Sequence, residues 1–384
     1  MGDIKVGILG TGFSATAHIE ALQRIPSVQV VAVASSRLSR AEEIAAKYRI
    51  PMYYGEAMEL IQDPDIQVVH NCTANHLHFE YNKAALLAGK HVLSEKPLSV
   101  TVKESDELQQ LAKEKGLVAG VSYIYRHYPL VEEIKQQIAA QTYGNPYYIT
   151  GGYLQDWLQH ATDYNWRMDS ELNGPSRAMA DIGSHWVDTV QYVVGKKIVS
   201  VFADLGIVHP VRYKPKDQVN TFNASLPAIE DCEPVKVDTE DFGSVLVRFE
   251  GGMKGVFAIS QVSSGRKNKL YFEIAAEHGA LRWDQEEANR LWIGSRDVPN
   301  RILMRDASLM SDQAASITHY PGGHEEGWPD ALKNLFYDFY RTISKKGNEP
   351  KVHSKFATFE QACGVMRIVE AILESHKRQQ WVDI

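Results

Sequence analysis

Gly10-Thr11-Gly12-Phe13-Ser14-Ala15 follows directly on the apolar run Asp3–Leu9 and leads into a helix-period stretch from Ser14 to Arg24. A strand that turns at once into a helix needs a residue without a Cβ at the turn, which Gly10 supplies. Gly12 lets the backbone approach a phosphate group, and Ala15 keeps helix and strand close. The unpaired N–H groups of the new helix, with Phe13 and Ser14 in its first turn, then face a negative charge. A glycine turn by itself can be empty. Set between a first strand and a first helix, it is read as the pyrophosphate cradle of a dinucleotide.

The alternation continues. Val28–Ala34 is a β-branched strand, Ser39–Tyr48 a helix, and Ile66–His70 and His91–Ser94 are further strands. An Ala-rich helix from Phe79 to Ala88 closes at Gly89, a second from Val102 to Lys115 closes at Gly116, and Leu117–Val121 is a strand. Apolar strands separated by helices predict an α/β, doubly wound parallel sheet of the Rossmann kind, with ligands beyond the carboxyl ends of its strands. At 384 residues the chain exceeds one ordinary core. The expected division is a dinucleotide-binding Rossmann domain over 1–124 and a substrate-binding α+β domain over 125–384.

Composition narrows the partners. Lys and Arg number 41 against 48 Asp and Glu, a net charge of −7 with no long basic run, which argues against nucleic acid. No apolar run approaches the ~20 residues that span a bilayer, so no membrane is expected. The first strand begins too near Met1 for a signal peptide to precede it, and Cys72, Cys232 and Cys363 are scattered, as in a reducing compartment. The expectation is therefore cytoplasmic. His70, His76 and His78 have no carboxylate or cysteine at useful spacing, so no metal is expected.

At the end of the second strand, a dinucleotide fold usually carries an acid for the ribose 2′-hydroxyl. Here the residues are Ser35-Ser36-Arg37. Hydroxyls and a guanidinium suit a 2′-phosphate, which among the NAD(P) cofactors predicts a preference for NADP(H). The alternative is that Arg37 is a solvated residue at a helix start.

Three further elements carry chemistry: Thr73-Ala74-Asn75-His76-Leu77-His78, Glu95-Lys96-Pro97, and Asp181-Ile182-Gly183-Ser184-His185. Pro97 restricts Lys96 to extended geometry at the ligand edge of the sheet. Gly174-Pro175 is a breaker, and Ser176 can cap a helix running to Gly195. On that helix Asp181, His185 and Asp188 fall at i, i+4 and i+7, one face between two apolar rows. A histidine near a carboxylate in a cleft can exchange protons near neutral pH.

In this order and spacing the chain resembles the Gfo/Idh/MocA oxidoreductases over essentially its whole length. The resemblance implies hydride transfer on sugars, polyols or related cyclic alcohols with NAD or NADP. It implies that Lys96 hydrogen-bonds the reacting oxygen and touches the cofactor, that His185 is the general acid/base, and that Asp181 holds and polarises the substrate. The cofactor residues are then Gly10, Gly12, Phe13, Ser14, Ser35, Ser36, Arg37, Thr73, Asn75, His78, Glu95 and Lys96. Ala74 stands where the family has proline, which leaves that loop less rigid. Read without the family, Lys96 is first a surface lysine in a strand-end turn, and the His/Asp pair reads equally as a proton-exchanging pair or as structural.

Gly120–Arg126 is the expected crossover. The resemblance makes Tyr125 and Arg126 substrate candidates; hinge packing is the alternative. Tyr147–Asp156 reads as a long strand, followed by strands near Val199–Gly206, Gly243–Glu250, Gly252–Gln261, Lys269–Ala276 and Ala280–Trp283, with a hairpin at Gly251-Gly252. This predicts an open, mostly antiparallel sheet with helices on one side. The resemblance implies that its other face is buried in a homodimer or homotetramer. Trp157 and Trp166-Arg167 bound an aromatic loop, and His324 lies in a glycine-rich stretch before a helix from Asp330 to Ile343. Either stretch suits the wall of a sugar pocket or an interface loop. Residues 207–240, with four prolines, suggest an insertion or lid.

The reading is a dehydrogenase acting on a secondary alcohol of a sugar, glycoside or cyclic polyol. One alternative is a glycosidase that works by transient oxidation, elimination and re-reduction on bound NAD⁺. Another is a non-catalytic dinucleotide sensor, which would have no use for the proton-handling pair Lys96 and His185. The substrate, the carbon oxidised and the direction of the reaction depend on pocket side chains whose arrangement is not legible in sequence.

Overall fold

The computed structural model describes residues 3–216, 228–345 and 354–384. Contacts group the chain into two compact units, Met1–Pro129 with Ser316–Met366, and Leu130–Ala315 with Arg367–Ile384. The sequence reading puts everything after 124 in the second domain; by contact, Ser316–Met366 groups with the first unit. The reason lies in buried side chains of that segment. Phe336 packs its ring 4.6 Å from His18, and Tyr340 hydrogen-bonds His70 at 2.7 Å.

In the first unit β1 (Ile4–Leu9), β2 (Val28–Ala34), β3 (Met52–Tyr54), β4 (Val68–Asn71), β5 (His91–Ser94) and β6 (Ala119–Val121) alternate with α1 (Phe13–Leu22), α2 (Leu38–Tyr48), α3 (Ala57–Gln62), α4 (Asn75–Leu87) and α5 (Val102–Lys115). The strands are parallel, in the order β6-β5-β4-β1-β2-β3. Val6, Ile8, Val33, Val68, Val92 and Leu93 are wholly buried, as a sheet covered on both faces requires. Thr101 and Glu104 close a reciprocal capping box at the start of α5, and Gly116 ends that helix in the left-handed region. β3 and α3 escape the sequence reading because three and six residues show no clear period. Helix α4 starts at Asn75 rather than Phe79, because Ala74 already takes the extended geometry of an N-cap.

The second unit begins with α6 (Pro129–Ala139), β7 (Pro146–Leu154), α7 (Ser170–Asn173) and α8 (Ser184–Val194). There follow β8 (Ile198–Gly206), β9 (Val211–Pro215), β10 (Cys232–Lys236), β11 (Phe242–Phe249), β12 (Lys254–Ser260), β13 (Lys269–Ala276), β14 (Gly279–Asp284), β15 (Arg290–Gly294), β16 (Arg301–Met304) and α9 (Asp312–Ala315). The chain ends with α10 (Trp328–Lys345), β17 (Ala357–Thr358), α11 (Phe359–Arg378) and β18 (Val382–Asp383). β17 lies antiparallel on the β6 edge of the first sheet. The second sheet runs β16-β15-β14-β13-β7-β12-β11-β8-β18, antiparallel throughout except at β7–β12.

One face of this sheet packs on α8. Trp186 stacks on Phe257 with ring centroids 4.3 Å apart and donates its indole N–H to the Tyr271 carbonyl at 3.1 Å. A Cβ on Gly151 would stand 2.5 Å from that indole nitrogen, so the strand under it carries glycine. Along β11 the other face is open: Phe242 and Leu246 are exposed while Val245 and Val247 are buried. Within the stretch 207–240, expected as an insertion or lid, β9 and β10 pair antiparallel; positions 217–227 lie outside the described residues. Among the described residues no helix is long and apolar enough to cross a membrane.

Candidate active site

The first unit carries the cofactor side. Gly10 sits at φ +103°, and a Cβ there would meet the Cys72 carbonyl oxygen at 2.7 Å, so β1 can turn beside β4 only through glycine. Gly12 is the N-cap of α1, and a Cβ on it would meet nothing within 4 Å. The space over this turn is what the approach of a pyrophosphate requires, and the first N–H groups of α1 point there without a side-chain cap. Phe13 is exposed beside the turn, 5.7 Å from the ring of Trp328. At the end of β2, the Ser35 hydroxyl accepts from Arg37 N at 3.3 Å and from Thr11 Oγ1 at 3.4 Å. Arg37 is the N-cap of α2, and positions 35–37 hold no carboxylate. These residues fit a dinucleotide.

Beyond β4 and β5 two loops are tied together. Asn71 Oδ1 accepts from Thr73 Oγ1 at 2.7 Å, fixing the start of the Thr73–His78 loop. His78 is wholly buried, with Nδ1 2.6 Å from the Pro97 carbonyl oxygen and Nε2 3.1 Å from that of Thr73. Burial outweighs these two contacts and lowers its pKa. His78 thus joins the loop after β4 to the turn that presents Lys96. Asn75 is buried in the first turn of α4.

Glu95 ends a buried polar chain that the sequence reading does not contain. Its Oε1 is 3.0 Å from His18 Nε2, His18 Nδ1 is 2.9 Å from His70 Nδ1, and His70 Nε2 is 2.7 Å from the Tyr340 hydroxyl. Burial alone would raise the Glu95 carboxyl, but the His18 hydrogen bond and charge, with Lys96 beside it, hold it at about 2. Burial also pushes the pKa of His70 down and those of Cys72 and Tyr340 up. The histidines in this region therefore serve hydrogen bonds to protein groups. Tyr125 and Arg126 stand in this first unit too. Tyr125 stacks on Tyr128 at 5.9 Å, and the buried Arg126 guanidinium donates to Gln361 Oε1 at 3.0 Å. His324 is exposed in the loop before α10.

The second unit carries Asp181 and His185. The sequence predicts one regular α-helix over 176–195. Met179–Gly183 is instead a π-helical turn that feeds α8, so Asp181 and His185 are not spaced as on a plain α-helix. Ala178, not Ser176, is the N-cap of this turn and has no side-chain cap bond; the Ser176 hydroxyl accepts from Ala180 N at 3.1 Å just before it. The larger share falls to Glu240, whose Oε1 accepts from Arg177 N at 3.1 Å, Met179 N at 2.8 Å and the Ser176 hydroxyl at 2.7 Å. Asp181 Oδ2 accepts from Gln261 Nε2 at 3.0 Å, and Oδ1 is 3.7 Å from Arg167 Nε. The Arg167 guanidinium lies 4.6 Å from the centre of the Trp166 ring. Trp166, Arg167 and Asp181 are therefore brought together. His185 is buried, 6.1 Å from the ring of Tyr153, and Asp188 is wholly buried. Trp157 is exposed at the head of the aromatic loop. Glu240, Asp241 and Gln261, which set the start of this helix, lie at least 61 positions from the groups they bond there, and no local pattern marks them.

A Rossmann unit with an open phosphate turn, followed by a unit with a His/Asp pair on a helix over an open sheet, defines a two-domain nicotinamide-dependent oxidoreductase. Residues 4–123 match the oxidoreductase family with an NAD-binding Rossmann fold, and residues 131–282 match the GFO/IDH/MocA C-terminal domain. The chain belongs to the Gfo/Idh/MocA family. It is 30% identical over 408 aligned positions to levoglucosan dehydrogenase of Pseudarthrobacter phenanthrenivorans, covering 100% of this chain and 99% of that enzyme. Among solved structures, an oxidoreductase domain protein from Kribbella flavida superposes with a TM-score of 0.88 at 27% identity, over 100% of both chains. Levoglucosan dehydrogenase in complex with NADH and L-sorbose superposes with a TM-score of 0.87 at 27% identity, over 100% of this chain and 99% of that one.

Proposed function

We propose that this chain moves a hydride between NADP(H) and a secondary alcohol or ketone of a sugar, glycoside or cyclic polyol. The observation that carries the reading is the π-turned helix of the second unit. It holds Asp181 between Gln261 and Arg167, and four residues further, past the π-turn, it carries the buried His185. The bound nicotinamide supplies the hydride acceptor or donor. His185 takes the hydroxyl proton as the carbonyl forms and returns it in the reverse direction. Asp181 accepts a hydrogen bond from a substrate hydroxyl and orients it. Lys96 donates to the reacting oxygen and stabilises its developing charge. Trp157, Trp166 and Arg167 are candidates for contact with the sugar ring, as are Tyr125, Arg126 and His324. Thr73, Asn75, His78 and Glu95 hold the loops that border the nicotinamide.

The preference for NADP(H) rests on Ser35-Ser36-Arg37, which offers hydroxyls and a guanidinium where a carboxylate would repel a 2′-phosphate. The relative solved with NADH and L-sorbose supports the sugar class. Assembly as a homodimer or homotetramer through the open sheet face is part of the same reading, supported by the exposed Phe242, Leu246, Ile302 and Met304. So is a cytoplasmic setting, supported by three buried cysteines that form no disulfide.

The test is absorbance of the reduced nicotinamide, with NADP⁺ and then NAD⁺, across anhydrosugars, inositols, aldoses and glycosides. A rise that disappears in His185→Ala supports the dehydrogenase. Cleavage of a glycoside with no net change in cofactor would replace it with the redox glycosidase.

A further inference from the structure

In the second unit two arginines, Arg177 and Arg212, are wholly buried against one carboxylate, Asp241. Two buried cations on one anion leave a charge unbalanced, and the buried Glu240, bonded to the backbone N–H of Arg177, offsets it. The cluster is too heavily bonded to be explained by packing alone. Arg177 also donates to the Thr239 hydroxyl and carbonyl, both at 3.2 Å. Its Nη1 donates to Gln261 Oε1 at 3.2 Å.

We propose that Gln261 is a positioning residue for Asp181, and that Arg177 sets the direction in which its amide points. The inference rests on the reading of Asp181 as the group that holds the substrate hydroxyl. A guanidinium can only donate, so the atom of Gln261 facing Arg177 is its carbonyl oxygen. The amide nitrogen is then turned the other way, where Nε2 donates to Asp181 Oδ2 at 3.0 Å. Gln261 is 2% exposed, and its own N–H is tied to the Asp241 carbonyl at 3.0 Å, so neither its backbone nor its side chain is free to swing. With Gln261 holding Oδ2 and Arg167 near Oδ1, the Asp181 carboxylate has one preferred plane. A neutral donor does this without adding a second charge to the pocket. The same Asp241 that holds Arg177 accepts from Arg212, whose Nη1 and Nη2 donate to the carbonyls of His160, Asp163 and Leu158 in the aromatic loop. The loop and the Asp181 carboxylate are thus referenced to one buried anion.

Gln261→Glu tests the assignment, because it keeps shape and volume and strengthens the Arg177 bond while setting a carboxylate oxygen against Asp181. The expected result is a kcat lower by on the order of 30-fold, with KM changed less than about threefold and a loss of kcat beyond what any fall in melting temperature accounts for. Gln261→Met, which keeps the length and removes both bonds, should lower kcat by about tenfold. Retention of wild-type kcat in Gln261→Glu, or loss that only tracks a falling melting temperature, overturns the proposal. Crystal structures of wild type and Gln261→Glu give a readout that needs no turnover. If the wild type oxidises no sugar, the functional reading fails on its own account. The position of Asp181 then decides this one: displaced from residue 261 in the variant supports it, unmoved overturns it.

Discussion

Glu95 Oε1 and His18 Nε2 stand 3.0 Å apart, joining the turn that carries Lys96 to the helix that opens at the phosphate cradle. The consequence is a defined acid sensitivity. The Glu95 carboxyl is held at about 2 from its usual 4.5. A carboxyl depressed in the folded state stabilises it above pH ~4.5, and that contribution is lost as pH falls towards ~2. Its size is about 3 kcal/mol. Urea unfolding at pH 6, 4.5 and 3 should show wild type losing stability over this window while Glu95→Gln is flatter; equal slopes would remove the ion pair from the account.

The two glycines of the first turn should fail in different ways. Gly10→Ala forces a Cβ onto the Cys72 carbonyl oxygen at a positive φ, and should lower stability by about 2 kcal/mol or more in thermal melts. Gly12→Ala meets no protein atom, so the melt should hardly change. Its methyl group enters the space read as the pyrophosphate site, and cofactor titration should show at least about a tenfold weaker Kd. A Gly12→Ala chain that binds cofactor normally would show that the turn does not cradle it.

Cofactor preference should follow the end of β2. Ser36→Asp together with Arg37→Ala introduces the missing carboxylate and removes the guanidinium, and should move the ratio of kcat/KM for NADP(H) over NAD(H) by about 100-fold towards NAD(H). Steady-state kinetics with both cofactors check it. A wild type that already prefers NAD(H) would show that Arg37 serves the start of α2 and no 2′-phosphate.

His185→Ala should reduce kcat by about 10²- to 10⁴-fold and leave cofactor binding intact, since a lost general base affects the chemical step and not the Rossmann unit. Asp181→Asn should fall by a comparable factor with a melting temperature near wild type. A His185→Ala enzyme that keeps most of its turnover at neutral pH would end its assignment as the proton carrier.

Repetition and local spacing were enough to read β1, β2, β4, β5 and β6 with the helices α1, α2, α4 and α5 among them, the glycine turn, the bounds of α5 and the Gly251-Gly252 hairpin, while α6 and α11 went unread. Each feature read is set by residues close together in the chain: a period of two or 3.6, a capping box, or a turn that only glycine can make. The short β3 and α3 fell below that resolution, and the π-turn at Met179–Gly183 looked like plain helix because its sequence has ordinary helical apolar spacing. What only the tertiary structure decided is who holds the functional side chains. His78 reaches Pro97 across 19 positions, Glu95 reaches His18 across 77, and Asp181 takes its hydrogen bond from Gln261 across 80. Polar groups buried together must satisfy one another wherever the chain brings them, and that pairing follows from packing in three dimensions, which no spacing along the sequence encodes.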